Sequence, residues 1–158
     1  MKRLVLLLIT TSSLLATQAQ QLSLVKKGKA KCTIVIPEKP SVIEIQAAQV
    51  LQDYLGRMSG ATLPIKSVNI VATDNEILID NVNRHEIRNV PYQKLGENGL
   101  FIQNTGKRLV IAGGTDKGVL YGVYSFLEKY LGCRKYPSTA TYVPEKKTIV
   151  LDPINDIQ

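Results

Sequence analysis

Arg108-Leu109-Val110-Ile111-Ala112-Gly113-Gly114-Thr115-Asp116-Lys117-Gly118-Val119-Leu120-Tyr121-Gly122-Val123-Tyr124-Ser125-Phe126-Leu127-Glu128-Lys129-Tyr130-Leu131-Gly132 is the stretch that decides the fold. After Arg108, Leu109 to Ala112 are apolar, with Val110 and Ile111 β-branched, a run of strand length. Gly113-Gly114 then turns the chain, and Thr115 has the residue type that starts helices. From there Leu120, Val123, Tyr124, Leu127, Tyr130 and Leu131 recur at helical spacing, which predicts a helix to Leu131 with those six as its buried stripe. Gly132 is placed to cap it. A strand runs into a helix, so the helix needs a sheet to cover.

Working outward, Leu100 to Gln103 reads as the strand before, joined to Arg108–Ala112 by the hairpin signal Asn104-Thr105-Gly106-Lys107. Further upstream, Cys32 to Ile36 is a buried-type strand ended by Pro37 and Pro40. Ser41-Val42-Ile43-Glu44 has the form of a capping box and opens a helix whose stripe is Ala47, Ala48, Leu51, Tyr54, Leu55 and Met58, stopped by Gly60. Ala61 to Ile65 is extended, and short strands are expected at Val68–Val71 and Ile77–Asp80. Between Asn81 and Gly96 periodicity vanishes, which predicts a long surface loop. Thr148 to Leu151 forms a last strand. The sum is an α+β fold: a mixed β-sheet with two long helices packed on one face.

With 158 residues the chain has room for one domain but not for a barrel of about 250 residues. Its first residues read as an export signal. Lys2 and Arg3 precede an apolar run broken at Thr10–Ser13, and Thr17-Gln18-Ala19 offers small residues for cleavage near Ala19. That run is too short for a stable membrane span, which takes about 20 apolar residues. The expected organisation is a signal peptide at 1–19, a lead-in at 20–31, one domain at 32–151 and a tail at 152–158, in a secreted or periplasmic protein. Cleavage lowers the net charge from +7 to +5. Lys26, Lys27, Lys29 and Lys31 carry much of the excess. They read as a solvated face guarding a strand edge rather than a nucleic-acid site, since no aromatic residues interleave to stack on bases. Cys32 and Cys133, the two cysteines, either form a disulfide or stay as two buried thiols.

The sequence assembles no catalytic constellation. His85 is the single histidine and sits in the loop region. The order Gly113-Gly114-Thr115-Asp116-Lys117-Gly118 puts its lysine before the last glycine, so it fits neither the phosphate loop nor the dinucleotide fingerprint. A tight turn explains both glycines, and no cofactor or metal is expected. Glycoside cleavage needs two carboxyls about 5–10 Å apart. The acids here are scattered, Glu44, Asp53 and Glu128 falling on helices where solvent-facing positions are the default, so no catalytic pair is assigned. Tyrosines Tyr121, Tyr124, Tyr130, Tyr136 and Tyr142 cluster in and after the second helix; at helical spacing such residues belong to a core or an interface more often than to a sugar site.

Ala47-Ala48 through Leu51, Tyr54-Leu55 and Met58-Ser59-Gly60-Ala61-Thr62-Leu63-Pro64-Ile65 resembles the first helix and its exit in the N-terminal domain of α-glucuronidases, a domain type also found second in β-hexosaminidases. Gly99-Leu100-Phe101-Ile102, Leu109 to Asp116, Gly118 to Glu128 and Leu131-Gly132-Cys133-Arg134 continue that resemblance across about residues 30 to 151. Lys135 departs from it, standing where a tryptophan is expected. The resemblance implies a β-hexosaminidase domain 2-like fold, and a non-catalytic accessory domain of a secreted glycoside hydrolase acting on xylan or a similar polysaccharide. The catalytic residues of such an enzyme belong to a barrel that begins after the last strand, so the implied partners are that barrel and a polysaccharide. On these terms Tyr121, Arg134 and Tyr136 are the candidates for glycan or domain contact. A free-standing glycan-binding or partner-docking module is the alternative.

Overall fold

The structure is a computed structural model and describes residues 20–82, 84–135 and 141–158. The export signal at 1–19 and Tyr136 lie outside the described residues.

Strand β3 (Thr33–Ile36) leads through the proline-bounded connection into helix α1 (Val42–Ser59). The capping box forms as its sequence dictates: the Glu44 N–H donates to Ser41 Oγ at 3.1 Å, and the Ser41 N–H donates to Glu44 Oε2 at 2.6 Å. Gly60 ends the helix at φ 79°, in the left-handed region. The strand expected at Val68–Val71 lies instead at β4 (Ile65–Ser67). Pairing decides this, because Ile65 sits opposite Ile34 in the parallel ladder, whereas Val71 is 86% exposed and has no sheet to cover. Strands β5 (Glu76–Ile79), β6 (Leu100–Asn104) and β7 (Arg108–Gly113) follow, then helix α2 (Asp116–Lys129). The six-stranded sheet has the order β11-β6-β7-β5-β3-β4, where β11 is Ile154–Ile157. Strands β4, β3, β5 and β7 are parallel, and β6 runs antiparallel to β7 and β11.

Strand alternation splits the core in two. Ile34, Ile77, Ile79, Leu100, Ile102, Leu109 and Ile111 face both helices. Val35, Leu78, Phe101, Val110 and Ala112 point to the other side, where Val82, Ile87 and Val90 cover them. The segment read as a surface loop is therefore a cover: two short 3₁₀ turns, His85–Asn89 and Tyr92–Lys94, seal the second face of the sheet. Spaced anchors in an otherwise polar segment have no regular period, so sequence pattern alone does not reveal them.

Of the expected stripe, Val123, Leu127 and Leu131 are buried, and Val119, Gly122 and Phe126 take the remaining places on the buried face. Tyr124 is 40% exposed and Leu120 and Tyr130 are only partly buried. The helix is rotated because Gly122 lies against the sheet, where a Cβ would come within 2.9 Å of Ile111 Cγ2. Glycine carries no apolar signal, and hydrophobic periodicity misses such a contact.

Both chain ends of the expected domain are built into sheets. In the lead-in, β1 (Leu22–Lys26) pairs with β10 (Ile149–Leu151) and β2 (Lys29–Ala30), and Leu22, Leu24, Ile149 and Leu151 join the helix-side core. The four lysines 26, 27, 29 and 31 remain exposed. In the tail, β11 pairs with β6 from Ile154–Asn104 to Ile157–Phe101, and Asp156 Oδ2 accepts from Lys129 Nζ at 2.6 Å and from the Tyr130 hydroxyl at 2.8 Å. The short strands β8 (Arg134–Lys135) and β9 (Thr141–Tyr142) pair beside α2.

Candidate functional site

Two places on the domain bring chemically distinct side chains together. The first is a groove of about 230 Å³ between α1 and α2, lined by Tyr54, Tyr124, Leu127, Glu128, Cys133 and Arg134. Arg57 lies over the Tyr54 ring, 5.2 Å from its centroid, and Arg134 Nη1 donates to Glu128 Oε1 at 2.6 Å. Of the contact residues read from sequence, Arg134 lines this groove and Tyr121 stands on α2, 48% exposed. Helical spacing assigns the aromatic partners Tyr54 and Tyr124 to the core, so sequence does not mark them for this groove. The groove is mostly apolar and smaller than the roughly 300–1,000 Å³ of a typical small-molecule site.

Cys133 at the groove and Cys32 beneath the sheet are both buried and free. Burial pushes each thiol up, Cys32 to about 12, and Cys32 Sγ donates to the Ser23 carbonyl at 3.4 Å. Two protonated thiols are packing groups, not nucleophiles.

The second place is the carboxyl end of the parallel strands, where open α/β sheets bind ligands. Asp80 follows β5 in a left-handed conformation at φ 53°. Its Oδ1 accepts from the Gly113 N–H at 3.3 Å and from the Tyr92 hydroxyl at 3.4 Å. Desolvation, with the Glu44 charge adding to it, pushes Asp80 up to about 6, and the Tyr92 phenol is raised by burial and by Asp80. Glu44 thus departs from the expectation of a solvent-facing acid: it is 7% exposed, whereas the Asp53 and Glu128 side chains are exposed as expected. An acid at a helix start and one at a strand end are 36 positions apart, and only the crossover of β3 and β5 joins them.

Asp80 is tied to the βα turn through the Gly113 N–H and to the cover through the Tyr92 hydroxyl, while Glu44 is tied to its own helix start through the Ser41 N–H. The βα turn beside Asp80 is closed to a phosphate by its own backbone. A Cβ at Gly113 would lie 2.2 Å from the Val119 nitrogen, and one at Gly114 would lie 2.2 Å from the Gly96 carbonyl oxygen. Thr115 starts α2 without capping it, since its hydroxyl donates to the Glu97 carbonyl at 2.6 Å. Among the described residues, no three His, Cys, Asp or Glu side chains gather as metal ligands, and His85 is exposed.

A further buried group is structural. Glu76, at the start of β5, has a fully buried side chain that accepts from Arg84 Nε and Arg108 Nε, each at 3.1 Å, and from the Thr73 N–H at 2.9 Å. Arg108 also pairs with Glu86, so the network ties the cover to the sheet. Desolvation pushes Glu76 up, but the arginine hydrogen bonds and charges outweigh it and hold the carboxyl below its usual range.

Residues 17–126 match the family described as the Glycosyl hydrolase family 67 N-terminus. The chain belongs to that family. Within it, this family 67 N-terminal domain is 33% identical over 84 residues to a probable α-glucuronidase A of Neosartorya fischeri, an alignment covering 51% of the chain and 10% of that protein. Its fold is similar to part of a solved family GH115 4-O-methyl-α-glucuronidase with specificity for decorated arabinogalactans. That likeness has a TM-score of 0.57 at 14% identity and covers 87% of this chain and 18% of the other. The family 67 N-terminal domain described here therefore spans a small fraction of the length of either relative. Among its described residues, no helix is long and apolar enough to cross a membrane.

Proposed function

We propose that the chain is the non-catalytic N-terminal accessory domain of a secreted α-glucuronidase-like hydrolase of polysaccharide breakdown, packing against a catalytic barrel supplied elsewhere. Family membership over residues 17–126 carries this reading. Export rests on the sequence of residues 1–19. The test is incubation of the purified chain with glucuronoxylan and its acidic oligosaccharides. No glucuronic acid should be released; measurable release abolished by Asp80→Asn or Glu44→Gln would overturn the accessory role.

A free-standing glycan-binding role is favoured by one observation, the exposure of Tyr121 and Tyr142 at 48% and 53% on neighbouring elements, with Arg134 nearby in sequence. Calorimetric titration with the same oligosaccharides separates the two readings. Saturable binding weakened by Tyr121→Ala or Arg134→Ala establishes the module, and no heat leaves the packing role.

A further inference from the structure

The tip of the β1–β2 hairpin gathers cations at a cost to its own stability. Lys26 and Lys29 stand directly opposite each other in the antiparallel pair, a placement in which like charges destabilise. Between them, Lys27 and Gly28 have φ of 52° and 70°. Positive φ at both central residues is the pattern of a type I′ turn, whose first position ordinarily takes asparagine, aspartate or glycine. A lysine held in the left-handed region carries strain that those residues avoid. Lys31 continues the ladder, its N–H donating to the Leu24 carbonyl at 2.9 Å.

The fold seats a second basic segment against this turn. The Gly28 N–H donates to the Lys147 carbonyl at 2.7 Å, and the Lys27 N–H donates to Thr148 Oγ1 at 3.1 Å. Lys146 is turned aside to the Leu131 carbonyl at 3.2 Å, and Lys147 pairs with Glu145 at 3.2 Å. The four hairpin lysines have no such offset. Among the described residues no carboxylate lies within ion-pair distance of Lys26, Lys27, Lys29 or Lys31, and all four are exposed. Guarding a strand edge does not account for them. Strand β2 is two residues long, already too short an edge to recruit another chain, and Lys27 lies in the turn rather than on the edge.

We propose that this hairpin tip is a contact site for an acidic polysaccharide, whose carboxylates meet Lys26, Lys27, Lys29 and Lys31. Lysine is a point charge on a flexible stem, suited to carboxylates spaced along a polymer rather than to one fixed anion. Residues 26–31 include no aromatic side chain to stack on bases and no large apolar one to enter a bilayer. A basic patch without an apolar anchor holds a membrane only transiently. The choice of a sugar polymer rests on the polysaccharide reading above, whereas the site itself rests on the hairpin. Exposed charges are screened by salt, so the contact is many-pointed and reversible.

The test measures binding of the purified chain to immobilised polygalacturonate at low and at physiological salt. Its neutral methyl ester, duplex DNA and vesicles of phosphatidylserine and phosphatidylcholine are the comparisons. Affinity for polygalacturonate should fall steeply as salt rises, and the methyl ester should not bind. Lys26→Gln, Lys27→Gln, Lys29→Gln and Lys31→Gln combined should weaken binding about tenfold or more. Lys27→Asn alone should weaken it about two- to threefold while raising the thermal midpoint by roughly 1–4 °C, because asparagine suits the turn. A merely structural lysine would not trade affinity against stability in this way. Undiminished binding by the fourfold variant, equal binding to the methyl ester, or binding to DNA or vesicles with none to polygalacturonate would each overturn the proposal. Should the fourfold variant misfold, Lys27→Asn decides. Release of glucuronic acid, which tests the accessory role, is a separate readout, so either reading can fail alone.

Discussion

Leu127 is 1% exposed and faces the helix-side core beside Val123 and Phe126. Leu127→Ala should cost about 2–5 kcal/mol, the usual range for truncating a buried leucine. Leu127→Asp should leave no cooperative thermal transition, since it places an unpaired charge in that core. Differential scanning calorimetry reads both. Glu76 gives a sharper case. Replacing it with Gln leaves Arg84 and Arg108 facing a neutral amide, and breaking a buried pair in this way typically costs about 3–5 kcal/mol. Urea unfolding of Glu76→Gln at neutral pH checks the figure. The residue types alone named Leu127 as core. They did not name Glu76, because an acid at a strand start reads as surface until the two arginines arrive from positions 84 and 108.

At the scale of elements, both helices begin on signals written locally, but only one uses them as written. Ser41 caps α1 through its hydroxyl, so Ser41→Ala should destabilise the domain by about 1 kcal/mol. At α2, Thr115→Ala should act differently. It loses a bond to the Glu97 carbonyl and no cap, so its effect should appear as faster hydrogen exchange in the 96–99 turn rather than at the start of α2. The cover shows what an element can conceal. Val82, Ile87 and Val90 are too widely spaced for a helix or strand pattern, yet together they shield Val35, Leu78 and Val110. A polar segment with three anchors reads as a loop until the second face of a sheet demands a lid of apolar atoms.

Across the whole molecule, two acids, Glu76 buried and Asp80 partly buried, set opposite limits on stability. Asp80 has its folded value raised to about 6 from 3.8, so the fold binds its proton more tightly than the unfolded chain does. Its contribution is complete at low pH and is lost as pH rises through 6. Glu76 is lowered from 4.5, so its contribution is present above that value and is lost as pH falls through the lower folded value. Stability should therefore peak near pH 4, where the rising Glu76 contribution and the falling Asp80 contribution balance, and decline on the alkaline side by an amount on the order of 1–2 kcal/mol after solvent screening. Urea midpoints across pH 3 to 8 check this, and Asp80→Asn should flatten the alkaline limb alone. By itself the sequence determined the alternation of apolar strands with two capped helices, the hairpin at Asn104–Lys107, the stacking of both helices on one face, and the family. Those features are local in period or contiguous along the chain, and short-range sterics and burial suffice to write them. Only the tertiary structure decided the facing of α2, the second covered face, the sheet pairing of residues 22–26 and 154–157, and the burial of Glu44. Each of these depends on which surface lies opposite, and that partner is supplied by residues dozens of positions away.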